Sequence, residues 1–112
     1  MARLNVEAIA EDTVAAPGNR QPLYIIASVT AASGSPTTGL ATANFKIQAE
    51  IVGPYGSEVQ IGTWFGEPRP GVYHIELLPI DDLTWKQGVY IFSVVVQKGT
   101  DRGQTLTQVL MD

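Results

Sequence analysis

Residues Phe45, Ile47, Ala49 and Ile51 alternate without exception with Lys46, Gln48 and Glu50. Only an extended chain, whose successive side chains point to opposite faces, gathers those four apolar residues on one surface; a helix would scatter them around its circumference. Residues 44–52 are therefore expected to form a strand with one buried and one wet face. The same period of two recurs in six more segments, and clusters of Gly, Pro, Asn, Asp and Ser stand between almost every pair. Short alternating runs with that punctuation are the pattern of an all-β chain.

The first run, 3–10, sets Leu4, Val6, Ala8 and Ala10 against Arg3, Asn5, Glu7 and Ile9. In 23–32 the inner face is Leu23, Ile25, Ala27 and Val29, leaving Tyr24, Ile26, Ser28 and Thr30 outside. Run 58–65 opposes Val59, Ile61, Thr63 and Phe65 to Glu58, Gln60, Gly62 and Trp64, and run 72–79 opposes Tyr73, Ile75 and Leu77 to Val72, His74 and Glu76. Run 89–98 is apolar on both sides, with Tyr90, Phe92, Val94 and Val96 on one and Val89, Ile91 and Val95 on the other, which marks a central strand. Run 104–111 completes the set. Residues 11–22 read as a long connection turning at Pro17, Gly18 and Asn19, and 33–39 as a turn-rich loop. The turn signals at 53–57 predict a hairpin between the third and fourth strands, and 98–103 a hairpin loop before the last. No helix of useful length is expected. At 80–86, Asp81 or Asp82 would cap one helical or 3₁₀ turn crossing between sheets.

Composition bounds the rest. A chain of 112 residues with 45% hydrophobic and 16% charged residues can bury a core without a metal or disulfide, and one domain is expected. Net charge is −4, and the seven Lys and Arg are scattered, so nucleic acid is not expected as a partner. Cysteine is absent, which excludes disulfides and thiolate metal sites. The apolar runs are far too short to span a bilayer. Residues 1–7 lack the apolar run of a signal peptide, so a cytoplasmic or particle-associated protein is expected, for instance in a phage, unless the chain is a piece of an exported one.

Chemistry finds little purchase. His74 is the one histidine; it alternates on a strand and no nucleophile motif accompanies it, so a surface histidine is the expected reading. Asp81 and Asp82, with Glu11 and Asp12, lack the spacing of a calcium loop and read as turn residues. No catalysis, metal or cofactor is expected.

Several short motifs add a likeness. The segments are Val29 to Pro36, Gly39-Leu40, Asn44-Phe45, Pro70-Gly71-Val72-Tyr73 and Trp85-Lys86-Gln87-Gly88-Val89-Tyr90. Together, over roughly 23–111, the chain resembles immunoglobulin-like modules of bacterial multidomain and surface proteins. The resemblance implies a seven-stranded antiparallel Greek-key sandwich. Tyr90, two positions after Gly88, matches the corner tyrosine of such sandwiches, whose hydroxyl bonds backbone. Trp85 is expected to plug the bottom of the core, with Tyr73 and Phe45 structural. The Cys pair of antibody domains is missing, as is a Trp on the third strand.

Surface is what remains. With Tyr90 and Phe92 inward, Ile91 and Val95 face outward, on a sheet expected to carry Trp64, Lys46, Gln48, Glu50 and Gln104 as well. An exposed Trp beside an exposed Ile marks a contact surface; the bland alternative folds Trp64 over the sheet edge and covers Ile91 with a loop. The expected function is a non-catalytic structural or protein-binding module that self-associates or docks in a larger assembly, with a dimer seam at the first strand or at 58–65. The rival is a carbohydrate-binding module whose Trp64, Tyr55 and Trp85 stack on sugars.

Overall fold

Each alternating segment is a strand in the computed structural model, which describes residues 2–11, 14–51 and 58–112, the side chains of residues 50 and 51 excepted. The strands are β1 (Asn5–Glu11), β2 (Leu23–Thr30), β3 (Phe45–Ile51), β4 (Val59–Arg69), β5 (Val72–Pro79), β6 (Gly88–Lys98) and β7 (Asp101–Met111). They form two antiparallel sheets, one ordered β1-β2-β5-β4 and the other β3-β6-β7. The expected all-β architecture and the central place of the doubly apolar β6 are both found.

The inner faces follow from the alternation. Leu23, Ile25, Ala27 and Val29 of β2 and Tyr73, Ile75 and Leu77 of β5 are fully buried, as are Tyr90, Phe92, Val94 and Val96 of β6 on the facing sheet. Burying each large apolar side chain contributes about 1.5–3 kcal/mol, which makes this inter-sheet layer the main source of stability. Phe45 packs edge-on to Phe65, ring centroids 5.7 Å apart, and 5.2 Å from Tyr73. Trp85 seals one end: it is wholly buried, its indole N–H donates to the Gln21 carbonyl at 2.7 Å, and its ring meets Tyr90 edge-on at 5.3 Å.

Four expectations are corrected. Strands β3 and β4 do not form a hairpin; β3 pairs with β6 and β4 with β5, so the chain changes sheets between them. The reason is the core: Phe45 and Phe65 meet across the inter-sheet space, where hairpin neighbours would lie side by side. The turn signals at 53–57 lie outside the described residues. Second, the segment after β5 makes no helical turn; Asp81 adopts φ 52° and Leu83 N–H bonds Ile80 C=O at 3.1 Å, a single turn on the way to the other sheet. A 3₁₀ turn stands instead at Thr42–Asn44. Third, β4 runs on to Arg69 and β7 starts at Asp101, because tight turns at residues 70–71 and 99–100 suffice to reverse the chain. Fourth, β1 begins at Asn5 and not Arg3. Ahead of it, Leu4 N–H donates to Arg102 C=O at 2.9 Å and Arg102 N–H to Ala2 C=O at 3.1 Å, so residues 2–4 add a parallel rung to β7. The chain thus stitches the two sheets together along one side. A β-carbon on Gly103 would stand 2.2 Å from the Leu4 carbonyl oxygen, so only glycine permits this approach.

A second network holds residues 31–44. Buried Tyr73 donates its hydroxyl to Thr37 C=O at 2.6 Å and accepts from Leu40 N–H at 3.2 Å. Glu67 accepts from Gly71 N–H at 2.9 Å and Gly39 N–H at 3.2 Å, and these two donors hold its carboxyl below the usual 4.5. Burial pushes the Tyr73 hydroxyl upward. Gly71 turns the β4–β5 hairpin at φ +76°, a conformation that side chains resist. Tyr90, singled out in the sequence, accepts from Lys86 N–H at 2.8 Å.

Candidate interaction surface

On the outer face of the three-stranded sheet, β6 and β7 pair residue for residue. Val89 stands opposite Leu110, Ile91 opposite Gln108, Ser93 opposite Leu106 and Val95 opposite Gln104; from β3, Lys46 pairs with Val95 and Gln48 with Ser93. Because Gly103 and Met111 point inward, the alternation of β7 turns Leu106 and Leu110 to solvent, 65% and 57% exposed. Val89 is 40% exposed and Ile91 half-buried. A shallow hollow of about 220 Å³ lies among Ile91, Leu106, Thr107 and Gln108. Strand β7 therefore contributes the most exposed apolar residues of this face. Its signal was in the sequence, since placing Gln104 outward also places Leu106 and Leu110 outward.

The face is divided along its length. Val89, Ile91 and Leu110 lie toward the start of β6 and Leu106 at mid-strand, whereas Lys46, Arg102 and Arg3, which bridges Arg102, lie toward the β6–β7 turn with Val95 among them. No described strand side chain of β3, β6 or β7 on this face carries a carboxylate; at its margins Glu7 lines a hollow with Arg3, Arg102 and Gln104, and Glu58 one with Lys46 and Gln48. The uncharged rim is Gln48, Ser93, Gln104 and Gln108.

Of the residues expected to share one surface, Lys46, Gln48, Ile91 and Val95 do so. Glu50 lies on the same strand, but its side chain is not among those described. Trp64 does not join them: it lies on β4, at the edge of the other sheet, 54% exposed. The error follows from the expected hairpin, which would have put β4 beside β3. Trp85 is buried and unavailable for stacking on a sugar, and Tyr55 lies outside the described residues.

The outer face of the four-stranded sheet has a different character. Its central row runs Ile9, Ile26, His74, Gly66, with Ile9 60% exposed. The next row pairs Glu11 with Tyr24 and Tyr24 with Glu76, and the row on the other side carries Glu7. The Tyr24 and His74 rings lie 4.7 Å apart, and His74 Nε2 is buried with no hydrogen-bond partner. The Glu76 carboxylate accepts from Thr63 N–H at 3.0 Å.

Among the described residues no cluster of three His, Cys, Asp or Glu is placed to hold a metal, and no helix is long and apolar enough to cross a membrane. No protein-family model, no curated protein and no solved structure matches the chain.

Proposed function

We propose that this protein is an immunoglobulin-like sandwich acting as a non-catalytic structural module, and that the outer face of the β3-β6-β7 sheet is its protein-binding surface. The fold part is supported by strand order. First-second-fifth-fourth over third-sixth-seventh is the ABED over CFG order of constant-type immunoglobulin sandwiches. The Tyr90 hydroxyl on the Lys86 amide agrees with the corner role of that tyrosine.

The observation that carries the functional part is the run of Leu106, Leu110, Val89 and Ile91 on one rigid face. Two leucines more than half exposed on one strand face, Leu110 beside Val89 and Leu106 on the far side of Gln108, forfeit hydrophobic stabilisation in an isolated molecule, and apolar residues interspersed with neutral polar ones suit a contact surface. The partner is a second copy or another protein of one assembly. Light scattering over a concentration series tests this: the native mass rises with concentration, and Leu106→Glu with Leu110→Glu returns it to the monomer while thermal melting stays unchanged. A native chain that is monomeric throughout refutes self-association.

A further inference from the structure

The two outer faces of the sandwich are complementary to each other, and we infer that copies of this chain stack face to back in an open-ended series, the β3-β6-β7 face of one copy on the β1-β2-β5-β4 face of the next. This inference rests on the reading of the first face as a protein-binding surface and names its occupant.

The charges make the case. The three-stranded face carries Lys46 and Arg102 toward one end, with Arg3 at its margin, and Val89, Ile91 and Leu110 toward the other, with Leu106 at mid-strand. The four-stranded face carries Glu11 and Glu76 beside an apolar row of Ile9 and Ile26, with Tyr24 between the two carboxylates and Trp64 at the edge; Glu7 lies at the margin shared with Arg3 and Arg102. Arg69 is its one strand-borne cation among the described residues, at the end of β4. Each face thus combines apolar residues with charged ones, and the strand-borne charges are opposite: Lys46 and Arg102 on one face, Glu11 and Glu76 on the other.

Symmetric pairing of the three-stranded face with itself fails on the same residues. A two-fold axis along the strands brings the cation-bearing ends together; one across the strands lays Arg102 on the partner's Leu110 and strips its water. Both arrangements are unfavourable. Pairing with the opposite face meets neither objection. Area favours repetition as well. Three strands of up to eleven residues give a face of about 14 by 36 Å, near 1,000 Å² for both partners and at the lower limit of specific contacts. One such contact is weak, and an interior copy makes two. Because the complementary faces lie on opposite sides of the sandwich, the contact is heterologous and does not close on itself. Each copy would add about the 20 Å of the molecule's shortest dimension.

A mixing experiment tests this. Sedimentation velocity is run on the native chain, on Leu106→Glu with Leu110→Glu, which blocks one face, and on Ile9→Lys with Glu11→Lys, which blocks the other. All four substituted positions are exposed strand positions, and a matching melting temperature confirms folding; Leu106→Ser with Leu110→Ser replaces the first variant if it melts early. The native chain grows past two copies with no plateau and shrinks again in high salt. Each variant alone stays monomeric, and an equimolar mixture yields a one-to-one complex and nothing larger. A native plateau at two copies, or variants that stay monomeric together while the native chain associates, overturns the stacking and leaves the docking face standing. A native chain that is monomeric at every concentration overturns the stacking and leaves the docking face only to a different protein.

Discussion

Replacing Tyr73 by Phe removes a single oxygen and should destabilise the protein far more than one surface atom would. That oxygen is wholly buried, donates to Thr37 C=O at 2.6 Å and accepts from Leu40 N–H at 3.2 Å. Each bond contributes about 1 kcal/mol net, and the backbone groups left behind add part of a 1–3 kcal/mol penalty if water cannot reach them. The expected loss is about 2–4 kcal/mol, a fall in Tm of about 8–16 °C at roughly 4 °C per kcal/mol for a chain of this size. Tyr90→Phe is the internal control, since its hydroxyl takes one bond from Lys86 N–H and the expected loss is about 1–1.5 kcal/mol. Urea unfolding followed by the fluorescence of buried Trp85 reads both, and the slope m should not change. A Tyr73→Phe loss below about 0.5 kcal/mol, or one no larger than that of Tyr90→Phe, would refute the assignment of Tyr73 as the anchor of residues 31–44.

Glu67 supplies a pH dependence. Its folded carboxyl sits below 4.5, so its contribution is in full force above that value and is lost as pH falls through the lower folded one. Glu67→Gln should flatten the acid limb of stability below pH 4.5, and superimposable limbs would count against the Gly71 and Gly39 amides as its partners. Gly103→Ala should cost about 2 kcal/mol or more by forcing Leu4 C=O away from β7; hydrogen exchange at the Leu4 and Arg102 amides would rise, and unchanged protection would place the seam elsewhere. His74→Phe keeps a ring against Tyr24 while deleting the buried, unpartnered Nε2, so a gain of about 1 kcal/mol is expected in thermal melts. A loss of that size would mean that the imidazole nitrogen has found a partner.

Sequence carried the strands well because side-chain alternation is a local property: Phe45, Ile47, Tyr73, Ile75, Phe92 and Val94 all point where their phase requires. Pairing is not local. Nothing in the alternation of β3 or β4 distinguishes a hairpin from a change of sheet, and only the meeting of Phe45 with Phe65 across the core settles it. Trp64 was misassigned for that reason alone. Strand β4 is also irregular, with its register against β5 slipping between Ile61 and Phe65 and again between Gly66 and Arg69, which no period of two anticipates. The candidate surface was half legible. Ile91, Val95, Lys46 and Gln48 came from the phase of β6 and β3, while Leu106 and Leu110 needed the same argument applied to β7. Tyr90 was legible from its spacing after Gly88. Tyr73 was recognised as structural, but its backbone partners at Thr37 and Leu40 lie 36 and 33 residues away and leave no sequence mark.

The seam between residues 2–4 and Arg102 ties the start of the sandwich to its seventh strand, and that bears on the order of events during synthesis. A ribosome adding about 5–20 residues per second needs several seconds to pass from Leu4 to its partner, whereas a hairpin forms in microseconds. Strand β1 can pair with β2 early, but its outer edge waits, unsealed, until β7 has been made. A chain released before the eleven-residue β7 keeps that edge open to strand pairing with its neighbours.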